Sequence, residues 1–196
     1  MQNLFIIPGI GYTVDWIKFL TRNWDKKYGI EPHVVDFVWM GESDKFLGRF
    51  ERMGKYLDED IKQGKDVSLL GISAGGSAVV NLFYPRRDKI KKVVTICGRV
   101  HDSNVRKMWN HKPEVLGVYE ESVKLCEANL SKLTPEDKKR ILTIRPFYDE
   151  VVPVKTMIID EANNQRINSA QHMVSISLAM SLYSRTITDF LKLGQL

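Results

Sequence analysis

Three side chains in this 196-residue sequence could together cleave an acyl bond: Ser73, Asp149 and His172. Ser73 is the centre of Gly71-Ile72-Ser73-Ala74-Gly75, a G-x-S-x-G run that directly follows the apolar stretch Val67-Ser68-Leu69-Leu70. A nucleophile elbow needs that arrangement, because the serine sits on a strained strand-to-helix turn and flanking glycines let neighbouring backbone approach. A serine hydroxyl is a poor nucleophile until a base takes its proton, and a histidine is oriented as that base when an acid holds its other ring nitrogen. Asp149, in Tyr148-Asp149-Glu150-Val151-Val152-Pro153, and His172, in Ser169-Ala170-Gln171-His172-Met173, supply those parts in the chain order Ser, Asp, His.

The elements that must position these residues alternate regularly. Leu4–Ile7 reads as a first strand; 13–28 reads as one helix, with Val14, Ile17, Leu20, Trp24 and Tyr28 near one face and Gly29 as its stop. A second strand is expected over 32–38, and a helix over 46–61 with Phe46, Phe50, Met53, Leu57 and Ile61 at helical spacing. Val67–Ile72 is the strand before the elbow, and the small, then apolar residues 74–83 form the helix behind Ser73, whose N-terminus favours developing negative charge. A strand over 91–97, a helix carrying Leu116, Tyr119, Val123, Cys126, Leu130 and Leu133, a strand from Ile141, a short strand over 165–170 and a closing helix over 174–193 complete the series. Such alternation predicts an α/β fold with a parallel, doubly wound sheet. Ser73, Asp149 and His172 then all fall at the C-terminal ends of strands, the edge where ligands bind in this architecture.

Composition bounds the rest. With 43% hydrophobic residues, 1–196 is expected to be a single domain. No stretch of about 18 apolar residues occurs and the N-terminus lacks a signal-peptide pattern, so a soluble, cytoplasmic protein without membrane insertion is expected. The net charge of +5 comes from groups such as Lys26-Lys27, Arg86-Arg87 with Lys89, Lys91 and Lys92, and Lys138-Lys139-Arg140, each at a helix end or before a strand. That placement predicts a solvated basic underside rather than a nucleic-acid surface. Cys97 and Cys126 are expected to be reduced, buried thiols, and no His, Cys, Asp or Glu group has metal-ligand spacing. No metal and no cofactor are expected. The sequence leaves the oligomeric state open.

On Ile7-Pro8-Gly9-Ile10-Gly11 after the first strand, Gly71–Gly76, Asp149-Glu150-Val151-Val152-Pro153 and His172, the chain resembles a small serine hydrolase of the α/β-hydrolase superfamily. It is similar to compact forms that lack the first two antiparallel strands. The resemblance covers nearly the whole chain and implies a mostly parallel six-stranded sheet, helices on both faces, with strands in the order second, first, third, fourth, fifth, sixth. It also implies an acyl-enzyme at Ser73, His172 as base and Asp149 as acid, chosen over Glu150 because of the following Val-Pro step, with Asp102 a more distant choice. Backbone N–H groups of Ala74 and of Ile10, or alternatively Gly11, would hold the oxyanion. Where many relatives carry His-Gly, this chain has Pro8-Gly9.

The segment 99–112 falls where this superfamily often places its lid, and within it Met108 and Trp109 would line an acyl pocket while Arg99 or Arg106 would meet an anionic group. Small esters and thioesters, peptides and acylated side chains are all compatible substrates. Two rival readings remain at this level. Gly9-Ile10-Gly11 with Asp36 imitates a dinucleotide fingerprint and its ribose-binding acid, although Val14 stands where the third glycine belongs, and would make an NAD-dependent oxidoreductase. A catalytically silent hydrolase fold used for binding is the other.

Overall fold

The structure, a computed structural model, describes residues 2–11, 14–35, 37, 39, 46–102, 104 and 113–193, with the backbone alone at 46–47 and 113–116. Six strands, β1 (Gln2–Ile7), β2 (Ile30–Val34), β3 (Val67–Ile72), β4 (Ile90–Ile96), β5 (Ile141–Arg145) and β6 (Asn163–Arg166), form one sheet in the order β2-β1-β3-β4-β5-β6. Every neighbouring pair is parallel. The chain therefore crosses over between strands, and the strand order reverses once, after β2. That reversal opens a crevice at the C-terminal ends of β1 and β3, the place where this architecture binds ligands. The dinucleotide-binding fold would instead flank β1 with β2 and β4.

Strand alternation sends side chains to two apolar layers. Phe5, Ile7, Leu69 and Val93 pack on one face against α3 (Phe46–Lys62), α4 (Gly75–Phe83) and α5 (Pro113–Leu130) through Met53, Leu57, Val79, Leu82, Val123 and Cys126. Leu4, Ile6, Leu70, Ile72, Val94 and Ile96 meet the helices of the other face. Those helices are α1 (Val14–Thr21), α2 (Trp24–Tyr28), α7 (His172–Met180) and α8 (Ser184–Lys192). A four-residue helix, α6 (Pro135–Lys138), starts on a capping box in which Thr134 and Asp137 satisfy each other's backbone donors. Among the described residues, no helix is long and apolar enough to cross a membrane.

Two helices differ from the sequence expectation by a break, and both edge strands by more than two residues at one end. The helix expected over 13–28 is two helices, because Asn23 takes φ −114, ψ 10 and breaks the ladder; Gly29, at φ +66, still ends the second. Ile17 and Trp24 reach the same core cluster from the two pieces, so apolar spacing alone could not reveal the break. The closing helix likewise splits into α7 and α8 at a serine-rich turn, where Ser181 Oγ donates to the Ser177 carbonyl and Ser184 Oγ to the Ser181 carbonyl. Strand β2 runs over 30–34 rather than 32–38, and its Pro32 is tolerated at the sheet edge. Strand β6 lies at the other edge over 163–166 rather than 165–170; it is polar, tied in by Thr143 Oγ1 donating to Asn164 Oδ1, and so carries little apolar pattern.

The basic groups expected on an underside are largely ion-paired. Arg86 makes a two-pronged contact with Asp58 at 2.7 and 2.9 Å, Lys91 lies 3.3 Å from Asp66 and Lys138 2.9 Å from Glu161. The Arg86 guanidinium bonded to Asp58 holds that carboxyl below the usual carboxylate range.

Candidate active site

β3 delivers Ser73 to the sheet edge in a left-handed conformation, φ +53, that side chains rarely adopt. The turn stays tight because its glycines carry no Cβ. A Cβ on Gly71 would run into the Gly75 carbonyl, and one on Gly75 would run into the carbonyls of Ile7 and Pro8. Helix α4 thus lies directly against the end of β1, and the loop 8–11 leans on the elbow. Trp39 fixes that loop from behind, its Nε1–H donating to the Pro8 carbonyl at 2.9 Å, and Trp39 is itself edge-on to Tyr119 of α5.

The three side chains expected to act together do meet. His172 Nε2 is 3.0 Å from Ser73 Oγ, and His172 Nδ1 is 2.7 Å from Asp149 Oδ2. All three residues are buried. The carboxylate is held at its other oxygen: Asp149 Oδ1 accepts the N–H of Val151 at 2.8 Å and of Val152 at 2.7 Å. One oxygen is thereby committed to the backbone and the other to the imidazole. A carboxylate is an acceptor only, so the proton belongs on Nδ1 and the Nε2 lone pair faces Ser73.

The Glu150 carboxylate accepts the backbone N–H of His172 at 2.9 and 3.2 Å, while the ring contact is made by Asp149. His172 opens α7, so this amide is one of the donors a helix start leaves without an intrahelical partner. Two consecutive acids thus hold one histidine, Asp149 by its ring and Glu150 by its backbone. Asp102 lies elsewhere, exposed and 3.1 Å from Arg99. Arg99 is buried, with Nη2 3.1 Å from Asp102 Oδ2 and Nε donating to the His101 carbonyl. His33, the fourth of the five residues of β2, stacks on Phe5 of β1. Asp36, Arg106, Met108, Trp109 and His111, and with them most of the expected lid, lie outside the described residues.

Two features escaped the sequence. Phe147 and Tyr148, just before Asp149, and Met173 and Val174, just after His172, are large apolar side chains left exposed beside the triad positions. Cys97, expected to be a reduced, buried thiol, groups with Asp149 and His172: one ligand atom of each lies within 4.8 Å of the others. The signal for that proximity is strand register, since Cys97 follows Ile96 of β4, which pairs with Ile72 of β3.

No known protein family matches the sequence, nor does any curated protein sequence. Solved structures do match in fold. A monoacylglycerol lipase from Paleococcus ferrophilus superposes with a TM-score of 0.63 at 16% identity, covering 96% of this chain and 93% of that one. An α/β-hydrolase superfamily protein from Enterococcus faecalis gives 0.66 at 14% identity, covering 97% and 90%. An esterase from Pyrobaculum calidifontis gives 0.67 at 18% identity, covering 98% and 76%. The chain has the α/β-hydrolase fold in a compact, all-parallel six-stranded form.

Proposed function

We propose that the protein is a serine hydrolase that cleaves a small ester, thioester or related acyl bond through an acyl-enzyme at Ser73. The observation that carries this is the unbroken relay from Ser73 Oγ through His172 to Asp149, at 3.0 and 2.7 Å, with the serine on a strained turn. His172 Nε2 takes the proton as Ser73 Oγ attacks the acyl carbonyl, and Asp149 stabilises the imidazolium. The oxyanion is received by the N–H of Ala74 and a second N–H from Ile10, with Gly11 as the alternative donor. Close packing of the 8–11 loop on Gly75 supports that assignment. His172 then gives its proton to the leaving group and activates water for deacylation.

Similar folds among lipases and esterases favour an ester over other acyl substrates, as the names of the Paleococcus ferrophilus and Pyrobaculum calidifontis proteins indicate. Exposed Phe147, Tyr148, Met173 and Val174 suit a substrate with an apolar part. A fluorophosphonate probe tests the mechanism: it should label the wild type and leave Ser73→Ala unlabelled. An unlabelled wild type, or label retained in Ser73→Ala, removes Ser73 as the nucleophile. A panel of esters, thioesters and amides of varied acyl length then ranks the substrates.

A further inference from the structure

Cys97 repeats on β4 what Ser73 does on β3. Each is the residue after a strand's end, in register through Ile72 and Ile96. Each donates its N–H at 2.9 Å to the next strand, Ser73 to the Ile96 carbonyl and Cys97 to the Ile144 carbonyl. Each is a non-glycine residue at positive φ, +53 and +50. Strain of this kind persists where the surroundings fix a side chain's direction, and the Cys97 side chain is directed at Asp149 and His172.

We propose that Cys97, Asp149 and His172 form a site for a thiophilic divalent cation, Zn²⁺ or Cd²⁺, whose binding switches off the hydrolase; the inhibitory half of this rests on the function proposed above. Sulfur, imidazole and carboxylate are the ligand types that zinc takes, at about 2.0–2.3 Å, which corresponds to roughly 3.3–3.6 Å between donors in a tetrahedral site. With all three ligand atoms within 4.8 Å of one another, shortening the longest separation by at most about 1.2–1.5 Å and opening the 2.7 Å Asp149–His172 contact by about 0.6 Å forms the set. Charge also balances, because a 2+ ion with one thiolate and one carboxylate is neutral, which a buried site requires. Burial pushes the Cys97 thiol well up, and the nearby Asp149 and Glu150 carboxylates push it further. Those same carboxylates attract a cation, and a coordinating thiol deprotonates outright.

On binding, the Cys97 sulfur loses its proton to solvent and donates to the ion, as does the Asp149 carboxylate. His172 donates through Nδ1, the nitrogen facing Asp149, so the Nδ1 proton is lost and Nε2 carries one in its place. An Nε2–H directed at Ser73 cannot take the serine proton, and catalysis stops without any ligand having touched the nucleophile.

Cadmium gives two readouts. In the wild type, Cd²⁺ should produce a thiolate-to-metal absorption band that saturates at one equivalent, with ester hydrolysis lost in parallel and restored by a chelator; Zn²⁺ should inhibit likewise. Cys97→Ser and Cys97→Gly should lose the band, and their inhibition constants should weaken at least tenfold, each measured against the variant's own uninhibited rate. Glycine suits the backbone at φ +50, so at least one variant remains folded. Cys126→Ser, which removes a buried thiol of α5 in the other apolar layer, should keep the band. Ser73→Ala should keep it too, so a band without hydrolysis in the wild type would overturn the enzymatic reading while the ion site stands. Absence of the band in the wild type, its retention in both Cys97 variants, or inhibition indifferent to Cys97 overturns the proposal.

Discussion

Asp149→Asn should give a protein that folds and does not catalyse. Asp149 Oδ1 receives two backbone donors, from Val151 and Val152 at 2.8 and 2.7 Å, and an asparagine can serve both only with its carbonyl oxygen. Its NH₂ group is then turned toward His172 Nδ1, now 2.7 Å from Oδ2. Two donors cannot face each other, so the imidazole proton shifts to Nε2 and points at Ser73 Oγ, 3.0 Å away. The base has lost its lone pair at the one atom where it is needed. In triads of this geometry the wrong tautomer lowers kcat by about 10⁴-fold, roughly 5 kcal/mol of barrier at 1.36 kcal/mol per tenfold. Stability should change by about 1 kcal/mol or less, since the turn's two hydrogen bonds survive and only the imidazole contact is exchanged. Hydrolysis of a short-chain nitrophenyl ester, together with a urea denaturation curve, measures both. Activity within tenfold of the wild type in a folded Asp149→Asn variant would refute the reasoning, because it would mean that Asp149 does not set the histidine's tautomer.

Glu150→Ala removes the acceptor for the His172 amide and leaves the ring's partner in place, so kcat should fall about fivefold, as expected if about 1 kcal/mol of support at this helix start is lost from the transition state, with KM unchanged. Glu150→Gln, which keeps an acceptor, should recover most of that loss; a fall comparable with Asp149→Asn would reassign the acid. Gly75→Ala should destabilise the fold by about 1–3 kcal/mol in urea denaturation, because its methyl meets main-chain carbonyls of Ile7 and Pro8 that cannot rotate away, and wild-type stability would contradict the close packing of elbow and loop.

The strand–helix alternation and the elbow were legible because each rests on a local pattern, whereas the strand order and the choice of Asp149 over Glu150 came from the family resemblance. Apolar runs bounded by turns mark strands β1, β3, β4 and β5, and chain order then places Ser73, Asp149 and His172 at one sheet edge. What stayed hidden depends on polar geometry. Edge strand β6 consists of Asn163, Asn164, Gln165 and Arg166, so no hydrophobic period announces it. The breaks after Thr21 and Met180 leave residues on both sides in the same core cluster, which is all that periodicity reports. The different tasks of Asp149 and Glu150 follow from a turn that sends one carboxylate to a ring and the next to a helix start. Adjacent acids look alike until that turn is formed.

Cys97 exposes a further difference between spacing and register. Metal and catalytic groupings are usually sought along the chain, where Cys97 stands far from both Asp149 and His172. In a parallel sheet, however, the residues that follow paired strand ends lie side by side whatever separates them in sequence, and Ile72 paired with Ile96 makes Ser73 and Cys97 such neighbours. The edge that gathers catalytic groups therefore also gathers any nucleophile or ligand at the end of the next strand. A thiol at that position is sheltered by burial and by the two acids from reacting as a free thiolate, so it can stand beside a serine–histidine pair without competing for the substrate. The same acids make the position selective for a partner that brings its own positive charge, and this is why the Cys97 variants, rather than substitutions of the triad, separate an ion-responsive hydrolase from an ordinary one.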